Sequence, residues 1–272
     1  MSIKLIAIDV DQTLLNSNGQ VLPSTVKAVQ AALAANIKVV LCSGRPLAGV
    51  RPYLTQLGIS GADQYVITFN GAVTESVAGT ILAQSLINNP LYRELTAFSK
   101  AQRVPLNVLD WQSVIYTADR DVNWVMVQQA WENHAGLLIR EPDELPTDFQ
   151  IAKAVFTGEG AQLDAAEPRI RASFGNDLYI VRASTHFLEI MNARVNKGQA
   201  LADLAHHLGF APEDVLAIGD EQNDLPMFKV AGTAIAMGNG GAAAKRAADA
   251  VTGTNDADGV AQAIEKWALQ AN

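Results

Sequence analysis

Short continuous apolar runs alternate with amphipathic helical ones, and they do so at both ends of the chain. From the N-terminus, KLIAI is followed by STVKAVQAALAANI, KVVLCS, LAGVRPYLTQLG and QYVITF. A strand with no polar alternation, such as Ile37-Lys38-Val39-Val40-Leu41, has no face suited to water. It predicts a parallel sheet covered by helices on both sides, and the βαβαβ order supplies the crossovers such a sheet needs. Ser24 after Pro23 marks a helix start and Gly58 a helix stop. The same grammar returns late in the chain, in NKGQALADLAHHLGF, VLAIGD, NDLPMFKVAG, TAIAMG, GAAAKRAADA and AVTG, and closes on the amphipathic GVAQAIEKWALQ. The predicted fold class is α/β, with a Rossmann-like doubly wound parallel sheet as its core.

The intervening stretch reads differently. It holds three of the four tryptophans and strand-like runs (SVIYTAD, FQIAKAVF, LYIVRAS) between longer helical patterns. An inserted α+β domain is expected there. The segments are then 1–81 for the first part of the core, 82–189 for the insert and 190–272 for the second part of the core. Asn70-Gly71-Ala72-Val73 predicts a hairpin leaving the third strand, and Glu189–Met191 is where the chain is expected to rejoin the sheet. At 272 residues and 49% hydrophobic, the chain has material for two such domains.

Composition narrows the partners. A formal charge of -8 gives no overall electrostatic footprint for nucleic acid or an anionic membrane, so neither is expected as a partner. Cys42 is the single cysteine, which rules out an intrachain disulfide and a cysteine-based zinc cage. Ile3 to Ile8 is too short for a membrane span or a signal peptide, and a cytoplasmic location is expected. The oligomeric state is not legible.

In an open α/β sheet, ligands gather beyond the carboxyl ends of the strands. The residues at those ends are Asp9, Asp11 and Thr13; Ser43-Gly44-Arg45; Asn70-Gly71; and Gly219-Asp220-Glu221-Gln222-Asn223-Asp224. One aspartate after a strand is an ordinary turn residue. Two strand-end pairs are another matter, because gathered carboxylates repel unless a cation neutralises them, and a hard divalent ion such as Mg2+ suits oxygen ligands. Asp9 and Asp11 would share a face if the strand geometry persisted beyond Asp9. The Ser43 hydroxyl and the neighbouring backbone N–H groups are suited to a phosphate oxygen. Lys197 at a helix start opposes the helix dipole, and an anionic partner would account for it.

Other motifs read as structural. Asn239-Gly240-Gly241 lacks the spacing of a dinucleotide loop and is expected to be a tight turn. His206 and His207 are adjacent on a helix and cannot form an i, i+4 metal pair, while Cys42 reads as a buried thiol.

Together Asp9-Val10-Asp11-Gln12-Thr13, Ser43, Lys197 and Gly219 to Asp224 resemble the four motifs of the haloacid dehalogenase-like (HAD) phosphohydrolases. IKLIAIDVDQTLL, LCSGRP, TFNGA, FLEIMNARVNKG, VLAIGDEQNDLPMF, AMGN and DGVAQAIEKW are similar to the Cof-type branch and its YidA-like sugar phosphatases. That resemblance spans nearly the whole chain. It implies a Mg2+-dependent phosphatase in which Asp9 is the nucleophile, forming an aspartyl-phosphate, and Asp11 the general acid and base. It implies a metal held by Asp9, the Asp11 backbone carbonyl, Asp220 and Asp224, and a phosphoryl group bound by Ser43, Gly44, Lys197 and Asn223. Arg45, Asn70 and Glu189 are further candidates near the same pocket. The insert resembles a C2-type cap, expected to roof the site and read the leaving group. Two departures stand out: Gln12 where relatives commonly carry glycine, and Ser43 in place of threonine. A phosphomutase or phosphotransferase using the same intermediate is the alternative reading. A receiver-like signalling protein lacks its acceptor acid, because Thr68-Phe69-Asn70 follows the third strand, and a non-catalytic phosphometabolite binder would leave the intact acids without a task.

Overall fold

The computed structural model describes residues 3–270. The chain begins with β1 (Leu5–Asp9), α1 (Pro23–Ala34), β2 (Lys38–Cys42), α2 (Leu47–Leu57), β3 (Tyr65–Thr68), β4 (Val73–Ser76) and β5 (Ile81–Gln84). It continues through β6 (Ile87–Asn88), α3 (Asn89–Gln102), β7 (Leu106–Leu109), β8 (Ile115–Thr117), α4 (Trp124–Glu132), β9 (Leu137–Ile139), β10 (Gln150–Ile151), β11 (Lys153–Thr157), α5 (Gly160–Phe174), β12 (Leu178–Ser184) and β13 (Phe187–Asn192). It closes with α6 (Lys197–His207), β14 (Val215–Gly219), α7 (Leu225–Val230), β15 (Thr233–Ala236), α8 (Ala242–Ala247), β16 (Ala250–Val251) and α9 (Gly259–Ile264).

Two compact units result. The first comprises the chain through Arg45, Val50–Ala83 and the chain from Asn196 onward. Its eight-stranded sheet has the order β16-β15-β14-β1-β2-β3-β4-β5. The ladders from β16 to β3 are parallel, and β4 folds back antiparallel on β3 as the hairpin at Asn70-Gly71 predicts. All five residues of β1 are buried, which is why its sequence carries no polar alternation. On one face Leu5, Ala7, Val40 and Cys42 pack with Leu201 and Leu204 of α6 and with Met227 and Phe228 of α7. Successive crossovers run from β1 to β2 and β3 on one side, while β14 pairs on the other. The order therefore reverses between β1 and β14, and a ligand crevice opens at the carboxyl ends of strands at such a switch point.

The second unit comprises Gln84–Val195 with Pro46–Gly49. Its six-stranded sheet, β12-β13-β11-β7-β8-β9, is antiparallel except for the β8–β9 pair, which α4 links. Tyr92 and Leu95 of α3 and Leu163, Ala166 and Ile170 of α5 cover one face, against Val108, Ala154, Phe156, Leu188 and Ile190. The expectation that Glu189–Met191 rejoins the parallel sheet is corrected here. β13 pairs with β11 and β12 through Asn192, and its cross-strand ladder belongs to the second sheet. The junctions accordingly fall at 83/84 and 195/196, two and six residues further along the chain than the expected 81/82 and 189/190. Among the described residues, no helix is long and apolar enough to cross a membrane.

Candidate active site

Asp9 ends β1, and in the adjoining parallel strand Ile218 lies opposite Ile8, so the chain leaving β14 brings Asp220 beside it. One carboxylate oxygen each from Asp9, Asp220 and Asp224 lies within 4.8 Å of the others, and all three residues are buried. The close approach depends on Gly219: a Cβ there would stand 2.6 Å from the Asp224 carboxyl carbon. Asp224 is tied from both sides. Its Oδ2 accepts the N–H groups of Asp220 (2.9 Å) and Glu221 (3.1 Å), and its Oδ1 accepts from Lys197 Nζ (2.7 Å).

Lys197 is the first residue of α6, where Asn196 caps the helix by accepting the Gln199 N–H at 2.7 Å. The helix can start here because Gly71, at φ +101°, brings its Cα against the Asn196 carbonyl; a Cβ would lie 2.5 Å from that oxygen. The ammonium is fully buried and donates to Asp9 as well as Asp224. Burial opposes its charge, but Asp224 and Asp9 outweigh that penalty and hold its pKa above the ordinary lysine value. The unfavourable placement at a helix N-terminus is thus offset by two carboxylates.

Three carboxylates face one ammonium. Burial, then Asp224, pushes the Asp9 carboxyl well above the usual range despite Lys197. Burial also lifts Asp220, to about 6, against the lowering effect of the Thr13 hydroxyl, which donates to its Oδ1 at 2.6 Å. Burial and mutual repulsion favour protons on Asp9 and Asp220, because one ammonium does not balance three carboxylates, and the donors are all hard oxygens. Such a set fits a divalent cation of the Mg2+ type.

Asp11 goes elsewhere. The strand geometry that would have put it on the face of Asp9 stops at Asp9. Val10–Leu14 winds into one wide turn, with Leu15 N–H donating to Val10 O at 3.0 Å and Gln12 at φ +62°. The Asp11 carboxylate therefore lies outside the metal-type cluster and is paired with Arg45, whose Nε reaches Oδ1 and Oδ2 (3.1 and 3.0 Å) and whose Nη2 reaches Oδ1 (2.7 Å). Of its groups, the backbone carbonyl is the one left as a metal candidate.

Ser43, Gly44 and Arg45 form a tight turn after β2. The Arg45 N–H donates to Ser43 Oγ at 3.0 Å, which leaves the hydroxyl its own proton to donate. Asn70 latches this turn: its N–H donates to Ser43 O at 2.9 Å, and its Oδ1 accepts from Asn223 Nδ2 at 3.2 Å. Glu189 lies in β13 of the second unit, ion-paired with Lys153 at 2.5 Å. Cys42 is buried, and burial raises its thiol pKa, so it stays a protonated core residue.

Two contributors were not assigned from the sequence. Asn239 sits in a tight turn, as expected, but its Nδ2 donates to Gln12 O at 2.8 Å. Asn255 braces it, donating its N–H to Asn239 Oδ1 (2.9 Å) and its Nδ2 to Leu15 O (2.9 Å). Together they hold the left-handed turn that aims Asp11. Gln12 pays the conformational cost of positive φ, about 1 kcal/mol. Gln12→Gly is expected to leave folding stability within about 1 kcal/mol, since relief of that cost is set against greater freedom of the unfolded chain. Gln12→Ile should destabilise by more than either effect, and urea unfolding of the two variants checks both expectations.

Fold and site together define an α/β protein with three buried carboxylates gathered at the switch point of a parallel sheet. A family model described as haloacid dehalogenase-like hydrolase matches residues 6–264. A candidate phosphatase of Streptococcus pyogenes serotype M6 is 35% identical, covering 99% of this chain and 100% of that one. The 5-amino-6-(5-phospho-D-ribitylamino)uracil phosphatase YcsE of Bacillus subtilis is 30% identical, over 99% of this chain and 97% of its own. A solved haloacid dehalogenase-like hydrolase from Bacteroides thetaiotaomicron superposes with a TM-score of 0.87 at 29% identity, covering 97% of this chain and 99% of that one. The chain belongs to the haloacid dehalogenase-like hydrolases.

Proposed function

We propose that this protein is a Mg2+-dependent phosphatase of small phosphorylated metabolites, sugar phosphates foremost, that works through an aspartyl-phosphate on Asp9. The observation that carries the reading is the cluster of Asp9, Asp220 and Asp224 around the Lys197 ammonium. An Asp9 carboxylate oxygen attacks phosphorus as the bond to the leaving alkoxide breaks, and Asp11 gives that alkoxide a proton. Asp11, now a carboxylate, takes a proton from water as the water oxygen attacks the same phosphorus and Asp9 departs. Lys197, the Ser43 hydroxyl, the Gly44 N–H and Asn223 bind the phosphoryl oxygens, where charge builds in the transition state. Arg45 exchanges Asp11 for a substrate oxygen on binding, which frees Asp11 for its proton transfers. Asp9, the Asp11 carbonyl, Asp220 and Asp224 would hold Mg2+, whose charge offsets that of the phosphoryl oxygens and the gathered acids. The phosphoribityl substrate in the name of the YcsE relative supports a polyol or sugar phosphate ester.

The test is a phosphate-release screen over sugar phosphates, flavin mononucleotide and pyridoxal phosphate, with and without Mg2+, using Asp9→Asn as the blank. Sugar phosphates hydrolysed only with Mg2+ are the expected result. Release that is independent of metal would contradict the reading, as would isomerisation of a sugar bisphosphate without phosphate release.

Acid titration gives a second check. The folded Asp220 titrates at about 6 against an ordinary 3.8, so the folded protein holds the extra proton between those values. Its contribution to stability is therefore most favourable below about pH 4 and is lost as pH rises through 6. Mg2+ should reverse that loss: at a hundredfold excess over its dissociation constant it adds about 2.7 kcal/mol at neutral pH. The gain should shrink as pH falls through 6, where protons compete for the same oxygens. Thermal unfolding over that range measures it, and a Mg2+ effect independent of pH would be the contrary result.

A further inference from the structure

Helix α4 is apolar on the side that faces away from its own sheet. Val125, Met126 and Gln129 are buried on the inner side, where Gln129 Oε1 accepts from Asn107 Nδ2 at 2.8 Å. At about 100° per residue, Trp124, Val127 and Trp131 fall within about 60° of one another on the opposite side. They are 52%, 54% and 78% exposed. An amphipathic surface helix carries polar residues there, and a helix apolar on both sides has both sides covered. The stripe is also preset: Trp124 Nε1 donates to Glu159 at 3.2 Å, and its ring packs edge-on against His186 with centroids 5.1 Å apart.

We infer that this stripe is the centre of a two-fold interface between two copies of the chain, with α4 packed antiparallel on α4. The stripe is complementary to itself. The midpoint between Trp124 and Trp131 falls beside Val127, so a dyad there sets each Trp124 against the partner's Trp131, a pairing that aromatic side chains favour. An indole side chain buries at most about 250 Å2. At their exposures, the two tryptophans offer roughly 300 Å2 per copy and roughly 600 Å2 in the pair. That is about half of the ~1,200 Å2 at which stable interfaces begin, in the apolar centre where homodimers concentrate such area. Val127 and the polar flank of Gln128 and Glu132 extend it. A lipid surface or a polyanion is a poorer match, since WVMVQQAWE carries no lysine or arginine to meet an anionic headgroup or phosphate.

Sedimentation velocity of the full chain, from low to several hundred micromolar, tests the inference. A monomer–dimer equilibrium is expected, weakened at least about tenfold by Trp131→Glu and by Val127→Asp, the loss typical of a central tryptophan or of like charges across a dyad. Because Cys42 is buried and is the single cysteine, Val127→Cys should oxidise to a disulfide-linked dimer over the concentrations at which the wild type self-associates. A monomer over the whole range overturns the inference, as does a dimer that neither substitution weakens. So does a monomer that instead binds neutral phosphatidylcholine vesicles through Trp131.

Discussion

Asp9→Asn is expected to lower Mg2+-dependent phosphate release by at least about four orders of magnitude while leaving the fold in place. The substitution keeps the shape of the side chain at the end of β1 but removes the oxygen nucleophile, and losses of this size accompany removal of a nucleophile that works within a unit. The fold should tolerate it because Asp9 is a net burden on the folded state: burial and Asp224 both disfavour its charge, so a neutral amide relieves repulsion. Lys197 keeps Asp224 as its second partner. Activity and stability should therefore move in opposite directions. A variant that lost both in parallel would make Asp9 a structural residue.

Lys197→Met is expected to behave in the contrary way, losing both. Methionine fills a similar volume but leaves the buried carboxylates of Asp9 and Asp224 without their ammonium. Removing one partner of a buried ion pair costs about 3–5 kcal/mol, because the charge left behind has neither water nor a counter-ion. Phosphate release should collapse as well, measured at a temperature where the variant is still folded. A second substitution, Asp224→Asn, should recover part of the stability by removing one orphaned charge, and it should recover none of the activity. Urea midpoints for the single and double variants give the comparison, and a Lys197→Met midpoint within about 1 kcal/mol of the wild type would contradict the ion-pair account.

What could be read from the letters follows from how local each interaction is. The placement of Asp9, Asp220 and Lys197 rests on strand and helix periods within a few residues of each, and burial on both faces is already written in LIAI and VLAI. Once the order of strands reverses at β1, Asp9 and Asp220 must come together. Asp11 is different. Its orientation depends on whether the strand continues past Asp9, and the left-handed turn at Gln12 decides that question. That turn is held by Asn239, 227 positions away, and by Asn255, 240 positions from Leu15. No pattern in the sequence links such pairs, and an Asn-Gly dipeptide looks the same whether or not its side chain braces another loop. The Phe187–Asn192 segment shows the same limit, because FLEIMN suits either sheet as a strand and only its partners, β11 and β12, decide which sheet it joins.

A covalent bond between Asp9 and phosphorus would be trapped by acid-quench labelling. The protein is mixed with a radiolabelled aryl phosphate and Mg2+, quenched in acid within the first turnovers, digested and mapped by mass spectrometry. An aryl leaving group needs little protonation, so Asp11→Asn should still form the intermediate but hydrolyse it slowly and accumulate it. Label is expected on the peptide containing Asp9, higher in Asp11→Asn than in the wild type and absent from Asp9→Asn. Label on any other residue would contradict a bond to Asp9, as would steady turnover with no labelled peptide in either the wild type or Asp11→Asn.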